Sequence, residues 1–168
     1  MNQEDLLLFE RYLLEYKDDV YRVAYYFTRN KDDAEDLAQD AFMRAYRFFY
    51  RFHRDSNFKS WILRIMRNIH LTNIQKNRAT INADELIQST ATSTVDVENT
   101  FLQGIQIKQI QKAIEKLPED FREVIILCDI ESLPYEQISE ILKIPIGTVR
   151  SRLHRGRLLL KERLTVHE

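Results

Sequence analysis

The sequence predicts an all-α protein made of two small helical domains joined by a flexible linker. Its 168 residues include only three glycines and three prolines, a composition that favours helices over a turn-rich β protein. Apolar residues recur at helical spacing across residues 6–77 and again from Ile107 onwards. The stretch between them is rich in Ser, Thr and Asn and has no sustained period, which is typical of a linker. We therefore predict domains at residues 1–78 and 105–168, with a linker at residues 79–104.

The N-terminal block predicts a helical bundle in which the second helix is the best defined. The helical pattern that begins near Leu6 gives no clear boundaries for the first helices. The next helix has apolar residues along one face, at i, i+3, i+4 and onwards: Ala34, Leu37, Ala38, Ala41, Phe42 and Ala45. Asn30 or a nearby aspartate can cap its start. A polar loop at residues 53–57 precedes a third helical pattern, which runs from Phe58 to about Gln75.

The C-terminal block predicts a helix-turn-helix after two further helical patterns. Apolar residues at helical spacing begin this block, namely Ile107, Ile110, Ile114 and Leu117, and Pro118 marks a turn after them. A short amphipathic segment then covers residues 135–142. Pro145 disfavours the α conformation in the residue before it, so this segment should end near Lys143. The cationic helix that follows is of the kind that enters a DNA major groove.

Charge is segregated along the chain, although the formal net charge is only −1. Residues 31–40 contain five carboxylates and one lysine, whereas residues 147–164 contain six cations and one glutamate. The whole molecule is therefore not a general binder of polyanions. Separate acidic and basic helices predict two different partners.

Several classes of protein are excluded by what the sequence lacks. The single cysteine, Cys128, allows no internal disulfide and no thiolate cluster for zinc, and its apolar neighbours predict a buried side chain. The histidines have no metal-ligand spacing and no catalytic motif is present, so we expect no enzyme, no metal site and no cofactor. No apolar run approaches the ~18 residues of a membrane span, and the N-terminus lacks a secretion signal. We expect a cytoplasmic protein without membrane insertion.

The cationic helix near the C-terminus offers one face for reading DNA bases. Four of its residues lie at i, i+1, i+4 and i+5: Arg150, Ser151, His154 and Arg155. Arginine can donate two hydrogen bonds to guanine, which discriminates bases by ~1–3 kcal/mol. Thr148 could bind a phosphate through its hydroxyl or its backbone N–H. Arg152 and Arg157 point to other sides, where we expect phosphates or solvent. The alternative is an ordinary solvated basic helix.

Aromatic and basic residues alternate over residues 44–67. Aromatic rings can stack on unpaired bases while neighbouring cations hold the phosphates, and a base extruded from a duplex needs such a pocket. The rings of Phe52, Phe58 and Trp61 equally suit a domain core. A further stripe at i, i+3 and i+7, formed by Arg44, Arg47 and Arg51, is not explained by core packing.

The acidic helix carries three aspartates at i, i+4 and i+8, namely Asp32, Asp36 and Asp40. Metal binding is disfavoured because these carboxylates have no converging second segment. The alternatives are a solvated face and a docking face for a protein with basic residues, for which electrostatics would set specificity and association rate.

Taken in order, these stretches resemble the extracytoplasmic-function (ECF, group 4) RNA polymerase sigma factors of the sigma-70 family. The resemblance is carried by residues 33–46 (DAEDLAQDAFMRAY), 58–68 (FKSWILRIMRN) and 117–125 (LPEDFREVI), followed by the helix-turn-helix. It implies a region 2 domain, a variable linker and a region 4 domain. Each segment alone is weak evidence, but the ordered set is specific.

The resemblance also implies roles for individual residues. The core polymerase, through its β′ clamp helices, would bind Asp36, Gln39 and Asp40, and the β flap would be a further contact. The −10 promoter element would bind Phe52, Asn57, Phe58, Lys59, Trp61, Arg64, Arg67 and Asn68. The −35 element would bind Thr148, Arg150, Ser151, His154 and Arg155. An anti-sigma factor is a further expected partner, because family members are often held inactive by one.

Two residues of the helix-turn-helix depart from the family pattern. Lys143 stands where the family often has glycine, and a left-handed conformation there would cost about 1 kcal/mol, so we expect a slightly different turn. Ser139 replaces the usual alanine and should still pack. Two other interpretations explain less of the sequence. A stand-alone helix-turn-helix regulator leaves the acidic helix unexplained, and a helical adaptor leaves the basic helix unexplained.

Overall fold

A computed structural model describes residues 2–81 and 101–165, which form helices joined by short turns. The chain divides into two compact units, residues 1–92 and 93–168. The predicted all-α class with two small helical domains is confirmed. Most of the predicted linker, residues 82–100, lies outside the described residues, and the exact domain boundaries remain predictions. None of the described helices combines enough length with enough apolar character to cross a lipid bilayer.

Three long helices and a short 3₁₀ turn build the described part of the first unit: α1 (Gln3–Thr28), α2 (Lys31–Arg47), the 3₁₀ turn (Phe49–Arg51) and α3 (Phe58–Ile81). The side chain of Asn30 accepts a hydrogen bond from the backbone of Asp33 at 3.0 Å, so the predicted cap of α2 is confirmed. The helix α3 continues past Gln75 to Ile81, and its predicted end is therefore wrong. Its last turns are exposed and polar, so no apolar repeat marks them in the sequence.

The core of the first unit lies where α1, α2 and α3 meet. The side chains of α2 that enter it are small, chiefly Ala34, Ala41 and Ala45, all fully buried. Small side chains allow neighbouring helices to approach closely. Larger apolar residues from the other two helices fill the space around them: Val20, Val23, Ile62, Leu63 and Met66. Two leucines of α1, Leu7 and Leu14, do not join this core and are 61% and 67% exposed.

The described part of the second unit consists of four α-helices and a π-helical segment: α4 (Phe101–Glu115), α5 (Glu119–Ile125), the π segment (Ile126–Ile130), α6 (Tyr135–Leu142) and α7 (Ile146–Thr165). Of the apolar residues expected to pack from α4, Ile114 is buried whereas Ile107 and Ile110 are about half exposed, at 55% and 43%. The π segment was not predicted, because it breaks the 3.6-residue period on which helix prediction depends.

The two residues that depart from the family pattern lie at the end of α6 and in the turn that follows it. Lys143 ends α6 in the left-handed conformation, with φ 55° and ψ 44°, although it is not glycine. The backbone thus adopts the conformation that a glycine would favour, and the expected change in the turn does not occur. The Ser139 hydroxyl donates a hydrogen bond to the Ile144 carbonyl at 2.5 Å. An alanine could not make this bond, so Ser139 ties the last turn of α6 to the connection.

Candidate nucleic-acid and protein interfaces

The face of α7 predicted to read bases is exposed. Arg150, Ser151, His154 and Arg155 all lie on the surface, while Val149 and Leu153 on the opposite side are buried. The structure therefore brings the four predicted residues together on one solvent-facing side. Thr148 is half-buried, and its backbone N–H donates to the Pro145 carbonyl at 2.9 Å. Of the two expected phosphate donors of Thr148, only the hydroxyl is available.

Two other arginines of α7 are held by carboxylates of preceding segments. Arg152 contacts Asp120 at 3.1 Å, and Arg157 makes two hydrogen bonds to Asp129, at 2.6 and 3.0 Å. Both guanidinium groups thus orient α7 against α5 and the π segment, although the Arg157 side chain remains 49% exposed to solvent. Contact of these arginines with phosphates stays a prediction. Sequence reasoning missed both carboxylates, since each is far from its arginine along the chain.

Cys128 lies beside the ion pair of Arg157 and is partly exposed rather than buried. The expectation of a buried cysteine is therefore wrong. A nitrogen of Arg157 lies 3.7 Å from its sulfur. Burial and the neighbouring Asp129 raise the pKa of the thiol, against the opposing charge of Arg157. The thiol is thus largely protonated at neutral pH, which argues against a reactive nucleophile.

Several aromatic residues of the first unit form a cluster at the start of α3. Phe58 stacks on Tyr12 with ring centroids 4.4 Å apart, and Phe52 contacts Trp61 at 5.1 Å. Phe52 and Phe58 are only 7% and 3% exposed, whereas Trp61 is half-buried. Among these three rings only Trp61 offers appreciable surface to a base. Phe52 and Phe58 lie beneath it and fix its position.

Lys59 is engaged by a carboxylate of α1. Its ammonium lies 2.9 Å from one oxygen of Asp19, and Arg22 contacts the other oxygen at 2.5 Å. Burial opposes ionisation of Asp19, but the hydrogen bonds and charges of Lys59 and Arg22 outweigh it and lower the pKa of this carboxyl. A phosphate that binds Lys59 must therefore compete with Asp19.

The remaining residues predicted to contact the −10 element follow one another along α3. The Asn57 side chain accepts a hydrogen bond from the Ser60 backbone at 2.9 Å and so caps the helix. Arg64, Arg67 and Asn68 are half-buried one to three turns further on. Each retains some exposed surface on the same helix as Trp61.

The acidic face of α2 is also exposed, as a docking face requires. Asp36, Gln39 and Asp40 lie on the surface, and the buried side of the same turns consists of Leu37 and Ala38. Exposure alone does not distinguish a docking face from a solvated one. Within the residues that the structure describes, no cluster of three or more His, Cys, Asp or Glu side chains is arranged to hold a metal ion.

Two arginines of the predicted stripe line an open groove between α2 and α3. Arg44, Arg47 and Lys76 line it, together with the polymerase-contact candidate Asp40. Arg51 lies outside this groove, with its guanidinium 5.4 Å from the ring centres of Phe48 and Tyr50. Sequence reasoning found the stripe but not the groove, because the two sides of the groove come from different helices that are far apart along the chain.

These features define a helical DNA-binding protein with a helix-turn-helix unit and a separate acidic surface. Comparisons with known proteins narrow the class. Residues 13–80 match the family model of sigma-70 region 2, and residues 107–160 match that of sigma-70 region 4. The ECF RNA polymerase sigma factor SigW of Bacillus subtilis is 35% identical over 89% of this chain and 84% of its own length. The ECF sigma factor SigE of Mycolicibacterium smegmatis is also 35% identical, over 91% of this chain, but the match spans only 60% of that protein.

A solved structure agrees with the sequence relatives. The sigma factor RpoE of Bartonella quintana, in complex with the anti-sigma factor NepR, superposes with a TM-score of 0.79 at 31% identity, covering 95% of this chain and 98% of that one. This chain belongs to the ECF sigma factors of the sigma-70 family. The family assignment predicted from the ordered sequence segments is confirmed.

Proposed function

We propose that this chain directs core RNA polymerase to promoters. In this proposal α2 docks on the polymerase, the start of α3 engages the −10 element, and α7 reads the −35 element. The main observation in support of this proposal is the arrangement of the cations on α7. Arg152 and Arg157 pair with carboxylates, whereas Arg150 and Arg155 are exposed beside His154. A helix held by internal ion pairs on one side and exposed on the other suits entry into a major groove.

At the −10 element, the exposed part of Trp61 supplies a stacking surface for an extruded base. Unstacking a base costs a few kcal/mol, and stacking on an aromatic ring returns about 1–3 kcal/mol. Phe52 and Phe58 support Trp61 from beneath, and Arg64, Arg67 and Asn68 continue along the strand. The protein itself needs no catalytic group, because the polymerase performs the chemistry.

The partners follow from the same surfaces. The carboxylates of α2 suit a basic protein surface such as the clamp helices of the β′ subunit, and the second unit would contact the β flap. An anti-sigma factor is a further proposed partner, since the Bartonella quintana RpoE structure contains one. Such a partner would act by covering the docking or promoter-binding surfaces.

Reconstituted transcription with purified core polymerase and a promoter library tests the proposal. We expect the full chain to select start sites from promoters with defined −10 and −35 elements. A chain that bound duplex operators tightly without core polymerase, and selected no start sites, would instead be a stand-alone regulator.

The docking face has its own test in the double variant Asp36→Arg with Asp40→Arg. Reversing two exposed charges at a complementary interface should weaken binding to core polymerase by about tenfold or more. The matched control reverses two exposed carboxylates on α1, Glu10→Arg with Asp18→Arg. Unchanged core affinity in the first variant, or an equal loss in the control, would refute the proposed docking face.

A further inference from the structure

The 53–57 loop, residues His53–Asn57, crosses between two buried aromatic residues. Phe52 precedes it and Phe58 follows it, with their ring centroids 5.5 Å apart in the aromatic cluster. The ends of the loop are therefore fixed by packing. All five residues between them are exposed.

Hydrogen bonds within the loop give it a local shape. The backbone N–H and the hydroxyl of Ser56 donate to the His53 carbonyl, at 2.9 and 2.6 Å. Asn57 faces the other way and caps α3 through its bond with Ser60. These bonds fold the loop on itself, but they do not tie its outer side to the rest of the unit.

The side chain of Arg54 connects the outer side of the loop to α1. Arg54 contacts the carboxylate of Asp5 at 2.5 Å, across 49 residues of sequence. Asp5 is well placed to hold it, because it lies in the first turn of α1, where the helix dipole favours a negative charge. Its backbone N–H bonds to the Asn2 side chain at 2.8 Å. The same helix buries Phe9, which contacts Phe58 at a centroid distance of 6.2 Å.

We propose that Asp5 is a positioning residue for base selection at the −10 element, acting through Arg54 on the 53–57 loop. The proposal rests on the proposed binding of the −10 element at the start of α3, which the loop adjoins, and goes beyond it, because Asp5 lies on α1 and belongs to none of the residues expected to touch DNA. The pair fixes the outer side of the loop and neutralises Arg54. Within the described residues, His53 and Asp55 are then the loop side chains with no hydrogen bond or ion pair.

Breaking the Asp5–Arg54 ion pair should change two properties in opposite directions, namely base discrimination and sequence-independent binding. Without Asp5 the loop can take more conformations, so discrimination among bases falls. Arg54 becomes an unpaired cation at the same time, so sequence-independent binding to single-stranded DNA rises and depends more steeply on salt. A residue that merely stabilised the fold would lower both kinds of binding, and this contrast separates positioning from stability.

The experiment compares full-length variants in holoenzyme with a promoter library randomised at the −10 element. Asp5→Asn should reduce the preference for the favoured base by about two- to fivefold, the range expected for loss of an exposed ion pair. Arg54→Gln should reduce it similarly but without the rise in single-strand binding. Asp5→Glu, and the exchange of charges in Asp5→Arg with Arg54→Asp, should restore the preference. The matched control is Glu4→Gln, which removes the neighbouring exposed charge of the same helical turn.

The proposal is overturned if Asp5→Asn retains the base preference of the parent chain, or if Glu4→Gln relaxes it equally. Failure of the proposed function looks different, since the parent chain would then select no start sites at all. In that case binding of the free variants to single-stranded oligonucleotides still decides the proposal. An Asp5→Asn affinity equal to that of Glu4→Gln would refute the role of Asp5.

Discussion

The two glycines of α7 provide a matched test of how this helix packs. Gly156 is buried against α5, and a Cβ at this position would lie 3.1 Å from Cγ1 of Ile125 and 3.3 Å from Cβ of Phe121. Ile125 is only 1% exposed, so its side chain has little room to move away. Gly147 lies in the first turn of the same helix, and a Cβ there would meet nothing within 4 Å.

Alanine should therefore change the free energy of unfolding in opposite directions at the two sites. Replacing glycine by alanine in a helix gains up to about 1 kcal/mol, whereas overpacking a core contact costs about 1–3 kcal/mol. For Gly156→Ala the two effects sum to a loss of about 0–3 kcal/mol in the free energy of unfolding. For Gly147→Ala only the gain applies. We expect the two variants to differ by at least about 1 kcal/mol, with Gly156→Ala the less stable.

Hydrogen exchange along α5 and α7, measured in the full chain at increasing denaturant, reads the stability of the second unit alone. The fluorescence of Trp61, the single tryptophan of the chain, reports on the first unit and should not change in either variant. A Gly156→Ala chain that matched or exceeded Gly147→Ala in stability would refute the close contact between α7 and α5.

Two further substitutions probe local features of the same units. Asp19→Asn should lower the unfolding free energy of the first unit by up to about 1 kcal/mol at pH 7. Because the pKa of folded Asp19 lies below its unfolded value, this contribution is complete above about pH 4 and disappears as the pH falls through the folded pKa. Denaturation followed by Trp61 fluorescence should thus separate parent and variant at pH 7, and the difference should shrink as the pH falls below about 4. Equal midpoints at pH 7 would contradict the role of the Lys59 pair. Lys143→Gly should stabilise the second unit by about 0.5–1 kcal/mol, since glycine adopts the left-handed conformation without the cost to a side chain. Hydrogen exchange of α6 and α7 measures this, and a loss of protection would show that the lysine side chain itself stabilises the turn.

Much of the fold could be predicted because local chemistry determines it. Asn30 caps α2 through a bond to a residue three positions away, and Pro145 ends α6 near Lys143 through a steric effect on its neighbour. Both signals lie within a few residues of the feature that they predict. The π segment and the final turns of α3 have no such signal, since the first changes the helical period and the second is polar on all sides.

The candidate sites were likewise predictable only where a local pattern determines them. The exposed face of α7 was visible from spacing alone, because a helix with Val149 and Leu153 buried must turn Arg150 and His154 outwards. Whether an exposed arginine is available to DNA depends instead on distant residues. Asp129 pairs with the half-exposed Arg157 and competes with a phosphate for it, and no local pattern connects the two. No local pattern predicts the exposure of Trp61 among buried rings either, because the packing of three helices determines it.

These internal ion pairs also determine how much DNA affinity the chain can have alone. Each cation that contacts a phosphate contributes about 0.9 to the slope of log affinity against log salt. Arg152, Arg157 and Lys59 already bind carboxylates, so phosphate contacts through them must displace Asp120, Asp129 or Asp19. With a net charge of only −1 and these cations engaged, the free chain has little sequence-independent attraction to bulk DNA. Specific binding then depends on exposed side chains such as Arg150 and Arg155, together with the contacts that core polymerase would supply. We therefore expect a subunit with this charge arrangement to select a promoter as part of the holoenzyme and to bind DNA weakly without it.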